Sequence, residues 1–446
     1  KSNPKKNLET TKIKGIVENN YLRETGKRFE DCDRGIRSLY QKGWLIKVKK
    51  GCYKYDPDFS SKDKTTHDFT DKVKKQIVKR DNYSCVVCKL GKKEKKYVND
   101  CLEKSWIGQG LFVQKFEKKL SKFVKCKYGV TTTSGTTALH LACKTVGVKS
   151  GDEVLVSSST NMASAFAIIY CGAKPVPIDI SVENWQMDTN LLEKKINKKT
   201  KAIMAVHLFG HPVNMGPVIK IARKYNLRII EDCAESLGVK YKNKPVGSLG
   251  NIAAFSFYSN KTITSGEGGM ITTNSKKLFL KAKSLKNLGY GKTNKFQHEA
   301  IGFNYRLPNI SSAVGLAQLE NINSIFKEKK RIYGRYKKNL KSIKGLNIPK
   351  IEKWTTKYIM WVFNIYLDHR FPLSRDNLVK KLGDRNIETR NAFVPVNKQK
   401  TLLKKYKSMK PKDCPNANYI MKNGFYLPSG NTISNKEIDD ICNTIK

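Results

Sequence analysis

Lys261 is the residue from which a reaction could start. It closes the strand-like run IAAFSFYSNK, and a turn carrying Gly266, Gly268 and Gly269 follows it. The chain is rich in lysine, so the residue type alone says little and the setting carries the argument. An amine in a partly desolvated pocket loses its proton more readily than one in water, and can then form a Schiff base with an aldehyde. The glycines let the backbone come close to a bound group. Two other stretches offer complementary chemistry. In TTTSGTTALHLAC, Ser134, Gly135, Thr136 and Thr137 precede an apolar helix. The first N–H groups and the dipole of such a helix suit a phosphate, although small hydroxyl residues there more often do no more than cap it. In LRIIEDCAESLG, Ile229 and Ile230 read as a buried strand, with Glu231, Asp232 and Glu235 at its end. A carboxylate in that place can hold the protonated nitrogen of a pyridine ring, or be a solvated loop group. Ser256, inside the run before Lys261, is a second candidate phosphate ligand.

Taken together these parts ask for one ligand. A phosphate cradle, a carboxylate for a ring nitrogen and a lysine for an aldehyde match the three functional groups of pyridoxal phosphate.

The elements that must position these residues read as an α/β pattern. Apolar runs such as GDEVLVSS, TKAIMAVHLFG and NLRIIEDCA recur with helical stretches between them. That alternation implies a mostly parallel sheet with helices on both faces, its functional groups gathered at the carboxyl ends of the strands. The expected divisions are a large cofactor-binding domain over 93–327 and a small α+β domain over 328–446. Before them, residues 1–62 read as a helix followed by a basic hairpin turning near Gly51, a winged-helix-like unit. Residues 63–92 resemble the opening of an HNH endonuclease. There Cys85 and Cys88 form a CxxC without the second pair that a four-ligand zinc site needs. We read this segment as a stub, with nucleic-acid contact through residues 1–92 left open.

Residues 94–446 resemble the DegT/DnrJ/EryC1/StrS family of sugar aminotransferases. The resemblance rests on SWIGQG, SGTTALHLA, GDEVLV, TKAIMAVHLFGHP, IIEDCAESLG, FSFYSNKTITSGEGGM, IGFNYRLPNISSAVGLAQLE, IETR and FYLPSG, which run in family order. It implies the aspartate aminotransferase-like fold type I of pyridoxal phosphate-dependent transferases, in a homodimer with shared active sites. It makes Lys261 the Schiff-base lysine and Asp232 the partner of the pyridine nitrogen. Ser134, Gly135, Thr136 and Ser256 then gather the phosphate, and Glu235 stands beside the cofactor hydroxyl. Asn304 in GFNYR reaches the phosphate from the partner subunit, with Arg306 in the same loop. The implied reaction moves an amino group from L-glutamate to C4 of a nucleotide-linked 4-keto-6-deoxy sugar. A GDP-linked sugar comes first and a UDP- or dTDP-linked one next, the product feeding polysaccharide synthesis. Dehydratases of this family carry histidine in place of the lysine, so Lys261 argues against that chemistry. A DNA-binding regulator with an inactive remainder would be favoured by loss of SNK or EDCAE, and both are intact.

Three departures from the family pattern stand out. Asn161 occupies the place of an aromatic that often stacks on the cofactor, Asn251 replaces an aspartate, and the family's extreme N-terminal segment is replaced by the unrelated first 92 residues. Other features have bland readings. The formal charge of +48 is spread along the chain rather than clustered, which argues against a nucleic-acid footprint over the whole protein. The eleven cysteines do not pair evenly, which fits a reduced, cytoplasmic setting better than a disulfide framework. No apolar run is long enough for a membrane-spanning helix. His207 and His211 in HLFGH have a metal-like spacing but no third ligand nearby in sequence, so no metal site is expected. Cys233 is expected to be a small buried residue, and KEKKRIYGRYKK a solvated helix face.

Overall fold

The computed structural model describes residues 91–446 apart from 292, 293 and 295 and, before them, the backbone of three short strands. The chain forms two compact units, Lys1–Asp68 and Phe69–Lys446. In the first, β1 (Leu8–Glu9), β2 (Leu45–Lys49) and β3 (Cys52–Tyr55) make an antiparallel sheet in the order β1-β3-β2, with Leu45 opposite Tyr55. The expected hairpin coincides with β2 and β3. The helix expected before it and the Cys85/Cys88 pair lie outside the described residues.

In the second unit, α1 (Lys92–Glu103) and α2 (Leu111–Phe123) lead into a seven-stranded sheet. Its strands are β4 (Tyr128–Thr132), β5 (Glu153–Ser157), β6 (Lys174–Ile178), β7 (Thr200–Val206), β8 (Arg228–Asp232), β11 (Ile252–Ser256) and β12 (Gly269–Thr273). The short pair β9 (Lys240–Tyr241) and β10 (Lys244–Pro245) lies between β8 and β11 in the chain. The sheet order is β4-β12-β11-β8-β7-β5-β6. All neighbours pair in parallel except β12, which runs against both β11 and β4. Six strands therefore end at one edge, and β12 begins there, with Gly269 level with both Ser256 and Thr132.

The strands read as continuous apolar runs because both faces of the sheet are covered. Val154, Leu155 and Val156 of β5, and Ala202 to Ala205 of β7, are all fully buried. On one face α3 (Gly135–Thr145), α4 (Met162–Tyr170) and α6 (Lys276–Lys286) share a core with Val154, Met204 and Ile230. On the other, α5 (Met215–Lys224) packs on Leu155, Ile203 and Ile229.

After α7 (Asn309–Glu320), the long helix α8 (Ile322–Leu340) carries the chain into the C-terminal section. There β13 (Leu346–Asn347), β15 (Phe363–Leu367), β16 (Arg390–Asn391) and β17 (Gly424–Leu427) form an antiparallel sheet in the order β13-β15-β17-β16. The short β14 (Thr355–Lys357) pairs instead with β9. Helices α9 (Arg375–Gly383), α10 (Lys400–Lys405), α11 (Pro415–Asn423) and α12 (Asn435–Ile445) complete the section.

The solvated face expected for KEKKRIYGRYKK is corrected. Lys329, Ile332, Tyr336 and Leu340 are buried, because helical periodicity turns every third or fourth residue of α8 onto the C-terminal sheet. Among the described residues no helix is long and apolar enough to cross a membrane. The seven described cysteines are free and buried, Cys233 among them.

Candidate active site

The carboxyl edge of the parallel strands brings the predicted groups together. Asp232 is the last residue of β8 and is 5% exposed. Its Oδ2 accepts a 2.7 Å bond from the buried Ser164 hydroxyl, and its Oδ1 a 3.1 Å bond from the Ala234 N–H. Ser164 is held in turn by Thr160 at 2.8 Å. Sequence reasoning missed Ser164. The available signal was a lone polar residue on the otherwise apolar helix MASAFAIIY, one turn beyond Thr160.

Lys261 lies five residues beyond β11, at the same edge. Its Nζ donates to Glu235 Oε1 at 3.4 Å and lies 4.0 Å from the centre of the Trp361 ring. Glu235 takes a second bond, from the Phe209 N–H at 3.1 Å. Burial pushes the Glu235 carboxyl up from its ordinary range, against the opposing pull of the Lys261 ammonium. Glu235 is therefore a carboxyl that can hold a proton beside an amine.

Phe209 has a left-handed backbone, φ 55°, which costs an ordinary residue on the order of 1 kcal/mol. Its neighbour Gly210 is also left-handed and meets the Ile359 carbonyl, with no room for a Cβ. This tight turn aims the Phe209 N–H at Glu235 and sets the Phe209 ring against Trp361, 5.9 Å between centres and nearly parallel. Neither Phe209 nor Trp361 was singled out from sequence, since their contacts join segments about 150 residues apart.

The phosphate cradle takes shape at the start of α3. Ser134 caps the helix, accepting from the Thr137 N–H at 3.1 Å, while the Thr137 hydroxyl accepts from the Ser134 N–H at 2.9 Å. A cap of this kind contributes about 1 kcal/mol. The capping reading of Ser134 is thus what the geometry shows, and the N–H groups of Gly135 and Thr136 remain directed outward as on any first helical turn. A Cβ on Gly135 would lie 2.6 Å from the Ser256 Cβ, so only glycine lets β11 and α3 meet there. Asn304 stands apart: it is exposed, and its Oδ1 accepts from Arg306 Nε at 2.9 Å. Asn161 does not face an aromatic role either. It caps α4, accepting from the Ala163 N–H at 3.0 Å. Asn251 accepts from the Ile229 N–H at 2.7 Å, a backbone tie within the framework.

The expectation that His207 has no third ligand near it is corrected. Its ring, Glu231 and Cys233 place their ligand atoms within 4.8 Å of one another, because β7 and β8 are adjacent in the sheet. His211 is not part of this group. The Glu231 oxygens are already engaged by the N–H groups of Gly247, Leu249 and Gly250 at 2.6–2.8 Å and by His207 Nε2 at 3.1 Å. Val213 N–H donates to His207 Nδ1, so Nε2 carries the proton. The arrangement is a hydrogen-bonded core node. His211 accepts from the Glu352 N–H through Nε2, and burial pushes it down to about 4.

The donor set fits pyridoxal phosphate. It combines a lysine amine, a buried carboxylate at a strand end, a second carboxyl beside the amine, and a helix N-terminus against which Ser256 packs closely at Gly135. The chain's similarities agree. Residues 89–446 match the model of the DegT/DnrJ/EryC1/StrS aminotransferase family. The chain is 42% identical to GDP-perosamine synthase of Escherichia coli O157:H7, over 79% of this chain and 94% of that protein. It is 38% identical to GDP-perosamine synthase of Vibrio cholerae, over 79% and 95%. Among solved structures it is similar to Helicobacter pylori PseC, an aminotransferase involved in the biosynthesis of pseudoaminic acid. That match has a TM-score of 0.75 and 26% identity, and covers 81% of this chain and 96% of the other.

Proposed function

The chain belongs to the DegT/DnrJ/EryC1/StrS family of pyridoxal phosphate-dependent aminotransferases, and we propose that it moves an amino group from L-glutamate to C4 of a GDP-linked 4-keto-6-deoxy sugar. For the chemistry, the supporting observation is the convergence of Lys261, Glu235 and Asp232 at one sheet edge. For the GDP-linked sugar, it is the similarity to two GDP-perosamine synthases over most of both chains.

In this reading Lys261 is the residue to which the cofactor's aldehyde binds. Its amine, when free, would move a proton at the reacting carbon. Asp232, oriented by Ser164 and the Ala234 N–H, would hold the cofactor's ring nitrogen in its protonated form. Pyridoxal phosphate, when bound, supplies the electron sink. Glu235 buffers the Lys261 proton at 3.4 Å. The first turn of α3, with Ser256, takes the phosphate, its dipole favouring the anion. Asn304, which is exposed, serves the site of a second subunit in a homodimer, with Arg306 bonded to it in the same loop. The enzyme works in the cytoplasm. Nucleic-acid contact through residues 1–92 is open to a binding measurement.

The test is an absorbance spectrum with added pyridoxal phosphate, followed by turnover. Wild type should gain a band near about 410–430 nm that bleaches with glutamate, and Lys261→Ala should gain none. Turnover is then compared on GDP-4-keto-6-deoxymannose and on dTDP- and UDP-linked 4-keto-6-deoxyglucose. Faster reaction of a dTDP- or UDP-linked sugar would overturn the choice of nucleotide. Absence of the band in wild type would overturn the cofactor roles.

A further inference from the structure

The surface under Lys261 comes from a part of the chain that the chemistry above does not use. Trp361 lies just before β15 in the C-terminal section, one hundred residues from Lys261, and is 4% exposed. The Lys261 Nζ lies 4.0 Å from its ring centre, the shortest ammonium–ring distance among the described residues. We propose that Trp361 is the positioning residue of Lys261: its indole face is where the ammonium rests whenever the lysine is not joined to the cofactor. The inference rests on the reading of Lys261 as the cofactor's lysine.

Trp361 is fixed by three contacts. Its Nε1–H donates to the carbonyl of Asn260, the residue next to Lys261, at 2.8 Å. The nearly parallel Phe209 ring packs against its indole, 5.9 Å between centres. Its main-chain carbonyl accepts from the ammonium of the buried Lys329 at 2.8 Å, and that ammonium also reaches the Ser429 carbonyl at 2.9 Å. One residue thus binds the backbone beside Lys261 through its ring nitrogen and the side chain of Lys261 through its face.

An aromatic face suits this task in a way that a second carboxylate does not. It attracts the cation but offers no site for its proton. The lysine is therefore held in one place without surrendering the proton it must deliver. Glu235, at 3.4 Å, is the carboxylate in contact with the ammonium among the described residues. A lysine that leaves and rejoins the cofactor in each cycle needs such a fixed resting point, since a free four-carbon chain samples many rotamers.

The test uses the full chain stripped of cofactor. Lysines are methylated with formaldehyde and borohydride at one pH, and the peptide holding Lys261 is quantified by mass spectrometry against exposed Lys149. Trp361→Leu should speed modification of Lys261 roughly 3- to 30-fold, the range a desolvated cation–ring contact supports. Trp361→Phe, which keeps a ring, should stay within about twofold of wild type. A rate unchanged by Trp361→Leu, or raised as much by Trp361→Phe as by Trp361→Leu, would overturn the cation–ring contact in favour of packing alone. Should Trp361→Leu fail to fold, the wild-type protein labelled with carbon-13 at lysine Cε decides the matter. A methylene resonance shifted upfield by the indole ring current, and lost in Lys261→Ala, supports the contact; its absence overturns it. Pyridoxal phosphate and borohydride are applied in parallel. Capture at a residue other than Lys261 overturns the reading of the lysine and this inference with it. Capture at Lys261 with no effect of Trp361→Leu overturns the inference alone.

Discussion

Glu231 and Asp232 are neighbours on β8, yet they do different work. Successive residues of a strand point to opposite faces. Glu231 faces the core node and is fully buried, and its two oxygens accept three backbone N–H bonds and the His207 ring. Asp232 ends the strand at the edge where Lys261 and Glu235 gather, and among the described residues its hydrogen bonds come from Ser164 and the Ala234 N–H. A saturated carboxylate holds a fold together. A carboxylate with spare acceptor capacity at a strand end can take a further donor.

That contrast can be broken or sharpened by substitution, and the largest effect is expected at the lysine. Lys261→Ala should abolish capture of pyridoxal phosphate and reduce transamination by roughly a thousand-fold or more, while thermal unfolding stays close to wild type. Glu231→Ala should act oppositely. It strands His207 and three backbone N–H groups, that of Gly247 fully buried, and should cost about 3–5 kcal/mol of stability, read by denaturant unfolding. Asp232→Asn, which keeps shape and removes charge, should leave stability nearly intact and cut turnover by about a hundred-fold or more. An equal loss of stability at Asp232 and Glu231 would erase the distinction between them.

A further comparison sets Lys329 against Lys261. Burial holds Lys329 down at about 8, below the ordinary lysine range. Between about pH 8 and that range the unfolded chain binds the extra proton. This residue's share of stability therefore rises with pH across the window and is lost as pH falls through 8. Relative to Lys329→Met, wild type should gain as much as about 3 kcal/mol on going from pH 7.5 to 10.5, measured by chemical denaturation. The smallest expected effect is at Ser164. Ser164→Ala removes one bond to a charged group and should lower turnover about tenfold with little change in the affinity for glutamate.

Much of this molecule was legible in the chain. The strands read as apolar runs because they are buried on both faces, and the loops after them announced Asp232 and Lys261 through the SNK and EDCAE stretches. Gly135 was legible too, as a small residue opening a helix. The partners of these groups were not. Trp361 and Phe209 carry no local signature of a site, since each matters only through a contact with a distant segment, and Ser164 shows only as a lone polar residue on an apolar helix. The buried face of α8 was hidden for a different reason: its lysine-rich composition reads as solvated, whereas periodicity and the C-terminal sheet decide which of its residues are covered.

The sequence by itself determined which chemistry is present: an amine, a carboxylate at a strand end, a helix N-terminus with small residues, and the parallel order that sends them to one edge. Only the tertiary structure decided how those groups are held. It separated Glu231 from Asp232 by strand alternation, and it brought Trp361 beneath Lys261 across one hundred residues. Local propensity shapes a strand or a cap, but a buried polar group finds its partners only when sheets and helices close around it.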